Sequence, residues 1–448
     1  MKNTNKLCTG IVCLGSVRCP QRPGSERKQA VHKSRIWPRI PAMRFRTRQS
    51  RGAIPFALSV ASMVAGCQAP NRIDRQLVFF PPPPAEPRVQ FLTWASGADE
   101  VESKRGAFAE FVLGEEPAIK RAIQKPYGIA ALNGVAYICD TKGLSISRLD
   151  FANHSFSSFG TSGPGRLRKP LNIVIDPLGY KFVVDSDRKQ VVVFGLDDAY
   201  LTAFDVPPPC HPVDLALYEN ELYVLDNDET CQIVVLNRQT GGVIRTLGGP
   251  GGEPGKFKIP NSITISPDGF LYVSDTHNWR IQKLTREGKV VWVKGGPGYM
   301  LGQFGRPRGI RVGPDGIVYV VDGATELVQM FDPDGNVLMR FGGPGNEPGT
   351  LGLPSTLAID ASSLPYFQEL VHDAFKVDYL LFVASQIGEH LVSVYAFGSF
   401  PPGYKMKASE ILNLPAAPIR EGIGPVLGDE TPTEPRPSEE QPKEDNHP

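Results

Sequence analysis

A proline followed three and five residues later by an apolar residue recurs six times in this chain, at Pro126, Pro170, Pro212, Pro260, Pro307 and Pro354. The intervals are 44, 42, 48, 47 and 47 residues. A period of that size suits a blade of four antiparallel strands, and it is too long for a leucine-rich or ankyrin unit. The fourth repeat shows the plan. Ile263 and Ile265 alternate as a strand, Pro267, Asp268 and Gly269 mark a turn, and Leu271 to Val273 return before Asp275. Ile281 to Leu284 form a third strand, Arg286 to Gly288 a second turn, and Val290 to Val293 a fourth strand. The alternation and turn residues define a meander. A single small sheet of this kind cannot bury two apolar faces, so the repeats are expected to stack around an axis as an all-β, six-bladed β-propeller.

A ring needs a closure. The sixth repeat runs into Pro401, Pro402 and Gly403 after Phe397, while Val89 to Trp94 is an apolar strand without a repeat of its own. That N-terminal strand is expected to complete the last blade and remove an exposed sheet edge; Met406 to Leu412 is the competing segment. An insertion in blade six, Leu364 to Val377, places Phe367, Leu370, Val371, Ala374 and Phe375 at helical spacing and is expected to form a short helix.

Outside the propeller, assigned to residues 89–404, the sequence changes character. Residues 1–66 hold 13 Lys/Arg and one acid, Glu26; the rest carries 35 bases against 46 acids. Cleavage of that leader would leave an acidic protein, which argues against nucleic acid as a partner. Arg44 to Arg51, the apolar run Ile54 to Gly66 and then Cys67 have the charge, length and small residues of a signal peptide, and Met43 is the expected start. Val64, Ala65, Gly66 and Cys67 resemble a bacterial lipobox, which implies lipidation at Cys67, and Gln68 in place of Asp after it implies, by the sorting pattern of such lipoproteins, attachment to the outer membrane. Residues 67–88 read as a spacer with Pro81 to Pro84 in extended polyproline form. Residues 405–448 read as a disordered tail rich in Pro and Glu.

The tract from Tyr272 to Gln282, preceded by Pro267, Asp268 and Gly269, resembles the core motif of NHL repeats. The tracts Gly248 to Phe257, Gly295 to Phe304 and Gly342 to Leu351 are similar to the linkers between NHL blades. The resemblance spans about Val89 to Phe400, strong in repeats four and five and degenerate in repeats one, three and six. It implies architecture more than activity, because NHL propellers include RNA binders, protein binders and lyases. Bacterial lipoproteins with such propellers look similar along the whole chain. No Cys-x-x-Cys-His occurs, so no covalent haem is expected, and no cofactor is assigned.

Several residues carry candidate roles. The glycine-rich linkers lack the Gly-Lys-Ser/Thr ending of a phosphate loop and read as tight turns. The Asp that closes the second strand recurs as Asp140, Asp185, Asp226, Asp275 and Asp322, with Ser385 in the last repeat, and is expected to cap loop amides. Before the repeat prolines stand Lys125, Lys169, His211, Ile259, Arg306 and Leu353. The basic members, with Arg308 and Arg311, are expected to ring the channel mouth and attract a protein partner or anionic ligand. The alternative is a metal-dependent lyase or hydrolase using His211, His277 and His390, although no two of these share a ligand-like spacing. Cys210 and Cys231 fall near the top of blade three, with their pairing left open, and Cys139 reads as a small buried residue.

Overall fold

A computed structural model describes residues 77–102 and 121–406. The leader, Cys67, the segment after Met406 and the acidic tail lie outside the described residues.

Six antiparallel sheets form a six-bladed β-propeller. Blade 1 comprises Pro126–Leu132, Val135–Asp140, Ser145–Asp150 and Ser155–Phe159. Blade 2 comprises Pro170–Ile175, Lys181–Asp185, Gln190–Phe194 and Tyr200–Asp205. Blade 3 holds Pro212–Tyr218, Glu221–Asp226, Gln232–Asn237 and Val243–Gly248. Blade 4 holds Ser262–Ile265, Leu271–Asp275, Arg280–Leu284 and Val290–Gly295. Blade 5 holds Pro307–Val312, Val318–Asp322, Leu327–Phe331 and Val337–Gly342. The first strands of neighbouring blades touch in sequence, and that of blade 6 meets that of blade 1, so the ring is shut.

Burial explains the composition of each strand. Second strands such as Val135–Asp140 and Leu271–Asp275 are buried at every position, because neighbouring blades cover both faces. They accordingly read as nearly continuous apolar runs. The fourth strands lie outermost and leave Val243, Val291 and Leu338 exposed. Leu171, Ile233, Val273 and Phe257 belong to one of the apolar clusters packed between blades.

Blade 6 is built from both ends of the described chain. Pro354–Asp360, Lys376–Ser385 and Val392–Ser399 are joined by Val89–Ala95, which pairs antiparallel with Val392–Ser399. This is the closure expected from the orphan N-terminal strand. A fifth strand, Val78–Phe80, continues the sheet. Pro81 to Pro84 therefore sit in the connection between two paired strands, with Arg88 N–H donating to the Phe80 carbonyl, and not in an extended spacer. The physical reason is Phe79, which is buried against Phe375 and Phe400 at ring distances of 5.6 and 5.4 Å.

The blade-six insertion departs from expectation too. It forms two single 3₁₀ turns, Leu364–Tyr366 and Gln368–Leu370, in place of an α-helix. Phe367 between them adopts φ −119° and ψ 2°, which breaks the helical path while inserting its ring against Phe151 and Phe382. Buried Gln90 from the closing strand secures the segment: its amide donates to the Leu370 carbonyl at 3.0 Å and accepts from His372 N–H at 3.0 Å. Tertiary packing thus overrides a spacing that would suit a helix.

Candidate functional site: the loop face and the propeller axis

The repeat Asp residues fasten the start of each first strand to the loop after the second. Asp140 accepts from the backbone N–H of Gln124, Lys125, Lys142 and Gly143 at 2.7–3.1 Å. Asp185 accepts from Arg168 and Lys169, Asp226 from His211, and Asp322 from Gly305 and Arg306. Asp275 accepts from Lys258 N–H and from the side chains of Asn278 and Arg280. Ser385 holds the corresponding place in blade 6, accepting from Gly352 N–H at 3.3 Å. All five carboxylates are buried, and the amides that solvate them come from the residues just before the repeat proline and, in blades 1, 2, 3 and 5, from the loop after the second strand. Their oxygens are consumed by this work.

The side chains of those pre-proline residues point to water. Lys125, Lys169 and Arg306 are exposed. Lys169 lies 3.7 Å from Asp187, and His211 Nδ1 lies 2.6 Å from Asp228. Among the described residues, Lys125 and Arg306 have no ion-pair partner.

Arg308 and Arg311 are placed differently from the expected collar. A register shift lies between Pro307 and Ile310, as it does at the start of the first strand in blades 1, 2, 3 and 6. Arg308 is only 4% exposed, stacks over the Tyr127 ring at 5.1 Å and donates to the Pro354 carbonyl. Arg311 donates to Asp214 at 3.4 Å, to Ser262 Oγ at 3.0 Å and to the Ile310 carbonyl at 2.7 Å.

Two polar belts cross the axis. In the first, Tyr127 of blade 1 accepts at its hydroxyl from the Asn261 side chain at 2.9 Å, next to blade 4, while Ser355 of blade 6 donates to the Tyr127 carbonyl at 2.6 Å. Blades 1 and 4 are opposite members of a six-membered ring, so the tyrosine reaches across the tunnel. In the second belt, fully buried Asp214 of blade 3 accepts from Asn172 of blade 2, from Ser262 and Ile263 of blade 4, and from Arg311 of blade 5. Burial pushes the Asp214 carboxyl above its ordinary range, and the Arg311 guanidinium beside it pulls the other way. Gly128 and Gly309 stand at equivalent positions of blades 1 and 5. A Cβ on Gly309 would come within 2.4 Å of the Thr356 Cα, so this crossing has no room for a side chain there.

The three histidines remain apart from one another. His211 faces Asp228, His277 is exposed in the loop after Asp275, and His390 stacks on Trp94 at 4.6 Å. Among the described residues no group of three or more His, Cys, Asp or Glu side chains comes together to hold a metal ion. Cys139, Cys210 and Cys231 are free, buried thiols, so Cys210 and Cys231 are unpaired. Cys231 donates instead to the Asp228 carbonyl, and Cys210 accepts from Gln232 Nε2 at 3.4 Å.

The sequence reading missed the belts. Their members follow the repeat prolines by one to four positions, and Tyr127, Asn261, Arg308 and Ser355 share no residue type that would mark them.

No family model matches the chain. Among solved structures, it is similar to a structural genomics protein of unknown function from Bacteroides thetaiotaomicron. That match has 16% identity and a TM-score of 0.49, covering 70% of this chain and 76% of that one. It is also similar to a gluconolactonase from Xanthomonas campestris, at 13% identity and a TM-score of 0.47, covering 72% and 97%. A streptogramin B lyase matches at 19% identity and a TM-score of 0.43, covering 59% and 76%. Identities this low tie the chain to no family.

Proposed function

We propose that this chain is an NHL-type propeller held at the bacterial outer membrane through lipidated Cys67, and that it binds an acidic protein segment on its Asp-loop face. One observation carries the reading. Lys125, Lys169 and Arg306 project to solvent from a face whose centre is filled by side chains, so a ligand meets a rigid charged surface there and not an open channel. The amide-capped carboxylates beneath them hold the backbone that presents these bases, while their own charge is buried and engaged. A fixed array of cations favours encounter with an anionic segment and sets its orientation.

The test is crosslinking in intact membranes, followed by identification of captured proteins. Wild-type chain should capture a defined acidic partner, and the Lys125→Ala/Lys169→Ala/Arg306→Ala variant should lose it while melting at the same temperature. Cys67→Ser should shift the protein from the membrane to the soluble fraction. Equal capture by wild type and triple variant removes the basis for face binding.

A further inference from the structure

A cleft of about 710 Å³ opens between blades 1 and 2 on the Asp-loop side, lined by Leu144, Pro164, Arg166, Arg168, Asp187 and Arg188 among others. Part of its lining comes from the linker between the two blades, Gly163, Pro164, Arg166 and Leu167. The linker Gly160 to Leu167 has eight residues, whereas Gly248 to Phe257, Gly295 to Phe304 and Gly342 to Leu351 each have ten. In those three the extra residues form a parallel bridge, as at Pro250 and Phe257. The short linker keeps its anchor, with Leu167 buried and its N–H donating to the Gly160 carbonyl at 2.8 Å, but forms no such bridge. The longer linkers at blades 4 and 6 also bring acids, Glu253 and Glu347; the short one brings none.

The charges of the cleft are unequally committed. Arg188 is held in place, donating to the carbonyls of Pro164 and Arg166 at 3.0 and 2.8 Å and to Gln190 at 2.8 Å. Asp187 faces Lys169 at 3.7 Å. The guanidinium groups of Arg166 and Arg168, both on exposed residues, have no partner among the described residues. Two free guanidinium groups beside a third that is fixed call for a ligand concentrating about two negative charges on one group. A phosphomonoester carries roughly −1.5 to −2 at neutral pH and offers oxygens that a guanidinium fork matches in pairs. The volume exceeds what a bare oxyanion fills and lies within the range of small-molecule sites. Leu144, 40% exposed, and Pro164 provide an apolar wall for the body of such a molecule.

We infer that the cleft between blades 1 and 2 is a binding site for a phosphorylated small molecule of about sugar size, gripped by Arg166 and Arg168. This site requires neither the membrane anchor nor partner binding on the face. Calorimetric titration of the full chain with glucose 6-phosphate, inorganic phosphate and citrate tests it. Glucose 6-phosphate should bind saturably and inorganic phosphate more weakly. Arg166→Gln/Arg168→Gln should weaken glucose 6-phosphate binding tenfold or more, as loss of charge-assisted hydrogen bonds implies. Arg166→Lys/Arg168→Lys should recover part of the affinity, and Lys125→Ala/Arg306→Ala should leave it unchanged. In unsubstituted protein, glucose 6-phosphate should protect Arg166 and Arg168 from arginine-selective modification mapped by peptide mass spectrometry. The assignment is overturned by absence of saturable binding of either phosphate probe, by binding of citrate alone, or by equal affinity in the glutamine variant.

Discussion

Replacing Arg311 by Met removes the cation from the belt around Asp214 while keeping much of the side-chain volume. Asp214 is fully buried, and Arg311 is 12% exposed at 3.4 Å from it, so water cannot substitute for the lost charge. The carboxylate would keep its bonds from Asn172, Ser262, Ile263 and Leu215, but none of these carries a compensating charge. Removing one partner of a buried ion pair costs about 3–5 kcal/mol. Unfolding entropy of about 2.1 cal/mol/K per residue over roughly 300 residues makes each kcal/mol worth about 1.6 °C, so the melting temperature should fall by about 5–8 °C. The sign of the pH dependence is fixed as well. The Asp214 carboxyl is already raised by burial, and losing Arg311 raises it further. A raised acid favours folding in its protonated form, so the deficit of Arg311→Met should shrink as pH falls from 7.5 toward 5. Asp214→Asn/Arg311→Met, which removes both charges, should recover most of the loss. Differential scanning fluorimetry of the four proteins at several pH values supplies the readout. A shift under about 2 °C for Arg311→Met, or a deficit that grows on acidification, would refute the account of Asp214 as a buried charge neutralised across the axis.

Gly309→Ala should lower the melting temperature by about 2–5 °C through overpacking against Thr356, whereas Gly252→Ala, with 4.0 Å to its nearest neighbour, should leave it unchanged in the same assay. Burial holds the His390 imidazole below its ordinary range. Its contribution to stability is therefore complete above about pH 6.5 and is lost as pH falls below that value toward the folded-state pKa; His390→Phe should flatten this part of the thermal stability profile relative to wild type. Deleting residues 77–95 removes two strands from blade 6 and bares the edge of Val392–Ser399, so sedimentation should show self-association, reversed by adding a peptide of the missing residues.

The ring was legible in the sequence because its information is periodic and local. The prolines and the apolar alternation seen at Ile263 and Ile265 recur at each blade, the Pro-Asp-Gly turn at 267–269 returns at 314–316, and each reports on a structure formed within a few residues. The recurrent Asp was legible for the same reason, since its partners lie in the same blade. The centre was not legible. Arg311 and Asp214 are 97 positions apart, and Asn261 and Tyr127 are 134 apart, so no window of sequence contains both members of either pair. Arg308 and Arg311 looked like members of a surface collar because the residues that engage them, Tyr127 and Asp214, belong to other blades far away in sequence. The insertion at 364–377 shows the converse. Its apolar spacing is real, but Phe367, Val371 and Phe375 reach their burial sites through turns because the wall of blade 6 and the N-terminal strands determine where each ring fits. The linker that lines the cleft between blades 1 and 2 is two residues shorter than three others, a signal that only alignment of the repeats against each other reveals.

Closing the sheet with strands from both ends imposes an order on assembly. Arg88 donates to the Gly398 carbonyl across 310 positions, so Val89–Ala95 has no cognate edge until almost the whole domain has emerged. Blades 1 to 5 can each zip up as they are made, from strands adjacent in the chain. The sixth is a latch that must wait, and until it fastens, the edge of Val392–Ser399 stays unpaired. Before Val89–Ala95 docks, the open sheet edge is a template on which another copy of the chain can pair.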